Sequence, residues 1–294
     1  ALEKEVPYMG SDFSFKPPTK HEVLEKPSVS IIGTGKRIGK TAVGVTVSRL
    51  MKEEGFEPVV VCMGRGGPSE PNFVDPKELD MDPDTLIEVA EKGEHAASDY
   101  WEDALLGQVP TVGCRRCGGG MAGNPFASNV VEGARLTNGL PQKFVIMEGS
   151  GSTFPPVKTD KRIVTIGAVQ PLRKILDFFG EYRIRISDLA ILTMCEEPRA
   201  SREKVEEIMA GIEEISPDID VIPTVFRTQP LDDVSGKSVF VATTAPEDAN
   251  AAIRNELKDN QKCEVAGISN NLSNRPRLRD DLEGSLSGCD VLLT

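Results

Sequence analysis

Gly33-Thr34-Gly35-Lys36-Arg37-Ile38-Gly39-Lys40-Thr41 follows the apolar run Val29-Ser30-Ile31-Ile32 and precedes a helical segment from about Lys40 to Glu54. A glycine-rich turn between a buried strand and a helix aims backbone N–H groups and the positive helix end at an anion, and the glycines let the backbone approach phosphate oxygens closely. Lys40 would reach the β- and γ-phosphates of a nucleoside triphosphate, and the Thr41 hydroxyl would ligate Mg²⁺. The strict pattern has Gly where Thr34 stands. Gly33, Gly35 and Gly39 also spell a G-x-G-x-x-x-G that suits a dinucleotide pyrophosphate, and Arg65, after the second strand, would suit the 2′-phosphate of NADP. That reading leaves Lys40 and Thr41 without a role. A purely structural glycine turn is the third reading.

Outward from this loop, short apolar runs alternate with helical segments. The runs lie near 58–62, 144–147, 163–166, 189–192 and 219–222, with helices near 171–179 and 201–214. Continuous apolar runs of four or five residues are strands covered on both faces. The predicted fold class is therefore α/β, a doubly wound, mostly parallel sheet of P-loop NTPase type, with a second, smaller α/β unit after it. The expected organisation is a linker and the end of a preceding domain over 1–28, an NTP-binding domain over 29–236 with a polar, Gly-rich insert at 64–141, and a truncated C-terminal unit over 237–294. A connection of that length in an α/β fold is usually functional. The chain begins at Ala1 without Met and stops in the apolar run Val291-Leu292-Leu293, so residues are expected before and after it.

Glu148 ends the strand at 144–147 and is followed by Gly149-Ser150-Gly151-Ser152. Ligands bind at the carboxyl edge of such sheets, so this acid is placed to hold Mg²⁺, and the following Gly and Ser suit close approach by a ligand. Two further loops combine Gly with Arg: Gly64-Arg65-Gly66-Gly67, and Gly113-Cys114-Arg115-Arg116-Cys117-Gly118-Gly119-Gly120. Guanidinium groups bind phosphate or carboxylate in pairs of hydrogen bonds. Arg65, Arg115 and Arg116, with Ser150 and Ser152, are the candidate substrate contacts.

The formal net charge is −12, from 34 Lys and Arg against 46 Asp and Glu, which excludes a generally basic nucleic-acid binder. The balance is local, however. Segments 33–41, 62–69 and 113–124 hold six Lys or Arg and no acidic residue. No apolar stretch approaches the roughly 18 residues of a membrane-spanning helix, and the chain is expected to be cytoplasmic with its six Cys reduced. Cys114-x-x-Cys117 has no second ligand pair to complete a zinc site, since His21 and His95 are isolated.

The phosphate loop and Val145-Ile146-Met147-Glu148-Gly149-Ser150-Gly151-Ser152 resemble the dethiobiotin synthetase branch of P-loop NTPases. More specifically, residues 21–43, 61–71, 113–123, 145–157, 221–231 and 267–276, in that order, are similar to the cyclic 2,3-diphosphoglycerate synthetase family of methanogenic archaea. That resemblance runs from about His21 to Thr294. It implies an ATP- and Mg²⁺-dependent enzyme that joins the two phosphates of 2,3-diphosphoglycerate into an intramolecular anhydride, releasing ADP and phosphate, with K⁺ dependence and a homodimer. On this reading Lys40, Lys36, Arg37 and Glu148 are catalytic, and Gly33, Thr34, Gly35, Gly39, Lys40 and Thr41 hold ATP. Arg65, Arg115, Arg116, Ser150 and Ser152 then hold substrate, and Thr41 and Glu148 hold the metal. Two alternatives remain: an ATP-dependent ligase activating a carboxylate, and a P-loop ATPase switch with a protein partner.

Overall fold

The computed structural model describes residues 1–78, 88, 89, 91, 92, 99–283 and 288–294. The chain forms two compact units, one of residues 1–194 and 203–224 and the other of residues 195–202 and 225–294.

The first unit is built on Ser28–Gly33 (β1), in which all six residues are buried. Ile31 and Ile32 are wholly removed from water, each worth about 1.5–3 kcal/mol relative to an exposed side chain. Its partners are Pro58–Gly64 (β2), Asn72–Val74 (β3), Thr111–Cys117 (β4), Ala127–Ser128 (β5), Phe144–Glu148 (β6), Lys161–Gly167 (β7), Leu189–Thr193 (β8) and Asp220–Pro223 (β9). The spatial order is β9-β8-β7-β1-β6-β2-β4-β3, with β5 beside β4. Every pairing from β9 to β4 is parallel, and β3 and β5 run antiparallel to β4. Helices Lys40–Glu53 (α1), Asp99–Gly107 (α2), Val130–Asn138 (α3), Leu172–Leu176 (α4), Phe178–Arg185 (α5) and Arg202–Ile215 (α6) complete the layers.

The segment expected as a polar insert at 64–141 instead extends the sheet. Its run Thr111-Val112-Gly113-Cys114 is buried as β4 between β2 and β3. The glycines have packing reasons. Gly113 lies against the Tyr100 ring and Gly133 against Cys114 Sγ, where side chains would not fit. The part of the insert that includes His95 lies outside the described residues. The N-terminal residues are tied to this unit: Val23 and Leu24 pack on its core, Lys26 Nζ donates to Thr137 O and Leu140 O, and Phe15 meets Phe179 edge-on at 5.1 Å.

The second unit has a parallel three-stranded sheet, Glu264–Ser269, Ser238–Ala242 and Val291–Leu293, with Ser238–Ala242 in the centre. Its core joins Val239, Val241, Cys263 and Val265 to Leu257 of the helix Asn250–Asp259.

Candidate active site

Because β1, β2, β4, β6 and β7 are parallel, the loops that follow them leave one edge of the sheet. All the residues predicted to do chemistry lie there. The loop 34–39 turns between β1 and α1 with Arg37 at φ 55° and Gly39 at φ 83°. That left-handed backbone is natural for Gly39 and strained at Arg37, a combination common where a loop wraps a ligand. Lys40 Nζ donates to Gly35 O at 2.8 Å, holding the side chain over the loop. Gly33 leaves room for Ile38 and the Lys40 stem, on which a side chain there would press. Gln170, which the sequence reading did not select, anchors the loop from outside: its Oε1 accepts from Thr34 Oγ1 at 2.5 Å, and Thr34 N–H donates to Thr165 O. Thr41 is half-buried in the first turn of α1.

Glu148 is 3% exposed at the end of β6, in register with Cys62 of β2 and Ile31 of β1. Its carboxylate lies against α1 at Gly44, in space that any side chain there would take. Cys62, Asp103 of α2 and Glu148 are all buried, with potential ligand atoms within 4.8 Å of one another. The carboxylate oxygens and the Thr41 hydroxyl are hard donors of the kind Mg²⁺ takes, whereas the Cys62 thiol is a soft one.

The two adjacent arginines of β4 separate, as period-two alternation demands. Arg115 Nε donates to Gly67 O at 2.6 Å, and its N–H donates to Asn129 Oδ1. Arg116 is 5% exposed and donates through Nη1 to Gly118 O at 2.5 Å and through Nη2 to Ser150 O and Oγ, both at 3.1 Å. Gly151, at φ 62°, lies beside both the Lys36 stem and Arg116 Nη2, each at ordinary contact distance from where a side chain would begin. Ser152 is half-buried and contributes its carbonyl to Arg183.

Lys36, Arg37, Arg65 and Arg116 are thereby neighbours. The exposed Lys36 ammonium is held below its ordinary value, first by loss of hydration and then by Arg65, Arg116 and Arg37. Burial and Arg65 likewise depress Arg116. Cations that repel one another at a loop edge form a standing receptor for a compact polyanion. Cys114 and Cys117 belong to the same strand end but face oppositely, being three residues apart. Cys114 packs under Gly133 with its thiol pushed up to about 12 by burial and Glu132, and Cys117 is exposed.

The description "Cyclic 2,3-diphosphoglycerate synthetase, P-loop domain" matches residues 28–225, and the C-terminal domain of the same description matches residues 230–294. The chain belongs to the cyclic 2,3-diphosphoglycerate synthetase family. The family member from Methanothermus fervidus is 51% identical over 293 residues, covering 100% of this chain and 64% of its own. The one from Rubrobacter xylanophilus is 48% identical over 294 residues, covering 100% and 66%. The chain thus spans less than two thirds of the length of these relatives. Among solved structures, LpxK from Aquifex aeolicus, crystallised with ATP, has a TM-score of 0.46 at 15% identity, covering 85% of this chain and 72% of its own, too slight a likeness to bear on function.

Proposed function

We propose that this chain carries the ATP-dependent closure of 2,3-diphosphoglycerate to its cyclic anhydride, with ADP and phosphate as products. The observation that carries the reading is the group Lys36, Arg37, Arg65 and Arg116 beside the phosphate loop, with the cations acting on one another and with Lys36 and Arg116 both against Gly151. A carboxylate-activating ligase has less use for four cations. A substrate with two phosphates and a carboxylate carries about five negative charges and uses all of them.

Two phosphates do not condense in water, so one must first be activated. The γ-phosphoryl of ATP passes to one substrate phosphate; the oxygen of the other then attacks that phosphorus and expels the added phosphoryl as inorganic phosphate. Both are phosphoryl transfers, in which catalysis is positioning and charge neutralisation. Gly33, Thr34, Gly35 and Gly39 shape the cradle for the nucleotide phosphates. Lys40 holds the β- and γ-phosphates, and Lys36 or Arg37 meets the phosphoryl in transit. Arg65 and Arg116, with Ser150, hold the substrate phosphates in reach of each other, while Arg115 steadies the Gly67 turn that presents Arg65. Mg²⁺ would be held by Thr41 and Glu148, and when bound would neutralise charge between the β- and γ-phosphates. A cytoplasmic homodimer activated by K⁺ belongs to the same proposal.

The test is phosphate release from ATP and Mg²⁺ by the intact enzyme, with and without 2,3-diphosphoglycerate, with phosphorus NMR of the products. Substrate-dependent release and a cyclic diphosphate are expected, and Lys40→Ala abolishes both. Release that ignores the substrate, with no cyclic product, would overturn the proposal.

A further inference from the structure

Arg183 is a charged residue placed where a hydrophobic one would pack more cheaply. It is 2% exposed in the last turn of α5, and no carboxylate pairs with it among the described residues. Burial pulls its guanidinium down to about 10. A buried guanidinium without a counter-charge is costly, so its retention calls for a reason in what it holds.

It holds three segments together. Nη1 donates to Phe179 O of its own helix at 2.6 Å. Nη2 donates to Ser152 O at 2.6 Å and to Met121 O at 3.3 Å. The guanidinium also lies over the Phe154 ring, 5.0 Å from its centroid. Ser152 and Phe154 belong to the loop after Glu148, and Met121 to the glycine loop after Arg116. Those loops meet along their length: Phe154 N–H donates to Gly123 O at 2.7 Å, and Gly119 lies so close to Thr153 Oγ1 that it has no room for a side chain. Arg116 ties the near end of the pair through Gly118 O and Ser150, and Arg183 ties the far end.

We infer that Arg183 is a positioning residue: it clamps loop 118–124 to loop 149–154 and so fixes Arg116, Ser150 and Gly151 against Lys36. Its role in catalysis rests on the proposed cyclisation, and the clamp itself does not. Both loops are glycine-rich and are held within themselves only by short turns, Ser150 with Thr153 and Gly120 with Asn124, so the Arg183 bonds add to Phe154 N–H on Gly123 O in keeping their far ends together. Lys has one donor nitrogen in place of the planar fork and cannot reach both Phe179 O and the loop carbonyls of Ser152 and Met121. Met keeps the volume and abandons both.

The experiment uses the intact enzyme with Arg183→Lys and Arg183→Met, first by amide hydrogen exchange and then by kinetics. Exchange is expected to rise in 118–124 and 149–154 in the Met variant, least in the Lys variant, while the β1 and β8 amides keep wild-type protection. If exchange in both loops is unchanged, or rises equally over the whole unit, the clamp is wrong whatever the enzyme makes. In turnover, the Met variant is expected to raise KM for 2,3-diphosphoglycerate by about tenfold or more while KM for ATP stays within about twofold, with partial recovery in the Lys variant. Equal rises for both substrates would overturn the positioning role. A wild type that forms no cyclic product would defeat the functional reading alone, leaving the exchange result to decide the clamp.

Discussion

Glu148 occupies the space in which Gly44 would carry a side chain. A methyl group built on the Gly44 Cα overlaps the Glu148 carboxylate oxygen, so the acid at the end of β6 reaches its position only because α1 has a notch there. A Gly in the interior of a helix ordinarily costs about 1 kcal/mol relative to Ala. Here the notch serves a buried carboxylate.

Gly44→Ala therefore reverses the usual sign. Helix propensity alone would stabilise the variant, while overpacking against Glu148 costs about 1–3 kcal/mol. The melting temperature is expected to fall by several degrees, and turnover by about a hundredfold or more as Glu148 is displaced from its place beside the phosphate loop. Thermal melting and steady-state phosphate release check this. A Gly44→Ala enzyme that is more stable and fully active would show that the notch is idle.

Arg115 and Arg116 are equivalent in sequence and opposite in structure. Arg116→Gln removes a cation from the Lys36 cluster and frees the Gly118 and Ser150 carbonyls, so kcat/KM for 2,3-diphosphoglycerate is expected to drop by about 10²–10³. Arg115→Gln loses one bond to Gly67 O and acts on the substrate only through the Arg65 turn. A loss of about tenfold or less is expected. Ranking the two variants by KM for each substrate is sufficient, and a larger substrate defect in Arg115→Gln would reverse the assignment.

The Cys-x-x-Cys pair gives a chemical check on the same strand. Cys114 and Cys117 lie on opposite faces and cannot close on one metal ion as a turn would allow. Cys114 is buried with its thiol at about 12 and Cys117 is exposed, so at about pH 8 iodoacetamide should modify Cys117 at least a hundredfold faster. Peptide mapping by mass spectrometry reads both sites. Comparable rates would mean that Cys114 is not seated under Gly133.

The strand that positions these residues shows where sequence ran out. β1, β2, β6, β7, β8 and the loop between β1 and α1 were legible, because an uninterrupted apolar run has one use in a parallel sheet and Gly-Lys-Thr after such a run aims at phosphate. β4 was not, since its Gly and Arg content is that of a loop. Gly113 and Gly133 have close packing against Tyr100 and Cys114 as their reason, and one-dimensional patterns carry no trace of a neighbour. Glu148 could be chosen as a strand-end acid. Gly44, Asp103 and Gln170 could not, because nothing local marks a notch in a helix or a side chain that reaches a loop about 135 residues away. The basic loops do gather at one sheet edge, but which arginine joins the Lys36 group depends on strand parity.

Lys36 supplies the last expectation. Its value lies below the ordinary 10.5 because of lost hydration and the neighbouring Arg65, Arg116 and Arg37. Between the lowered value and 10.5 the unfolded chain holds more protons than the folded one. Lys36 thus contributes stability that is present above 10.5 and is lost as pH falls through the lowered value. A bound polyanion acts in the other direction, favouring the ammonium, so binding must take up a proton in that window. The substrate phosphates are themselves fully ionised there, their second pKa being about 6, and cannot account for the uptake. Titration calorimetry of 2,3-diphosphoglycerate a little below pH 10.5, in two buffers of different ionisation enthalpy, should give apparent heats for the wild type whose difference reports the proton taken up. Lys36→Met should abolish the difference, and affinity for the substrate should weaken with rising pH in the wild type only. Buffer-independent heats in the wild type, or the same dependence in the variant, would place the titrating group elsewhere and dissolve the argument that the four cations act as one receptor.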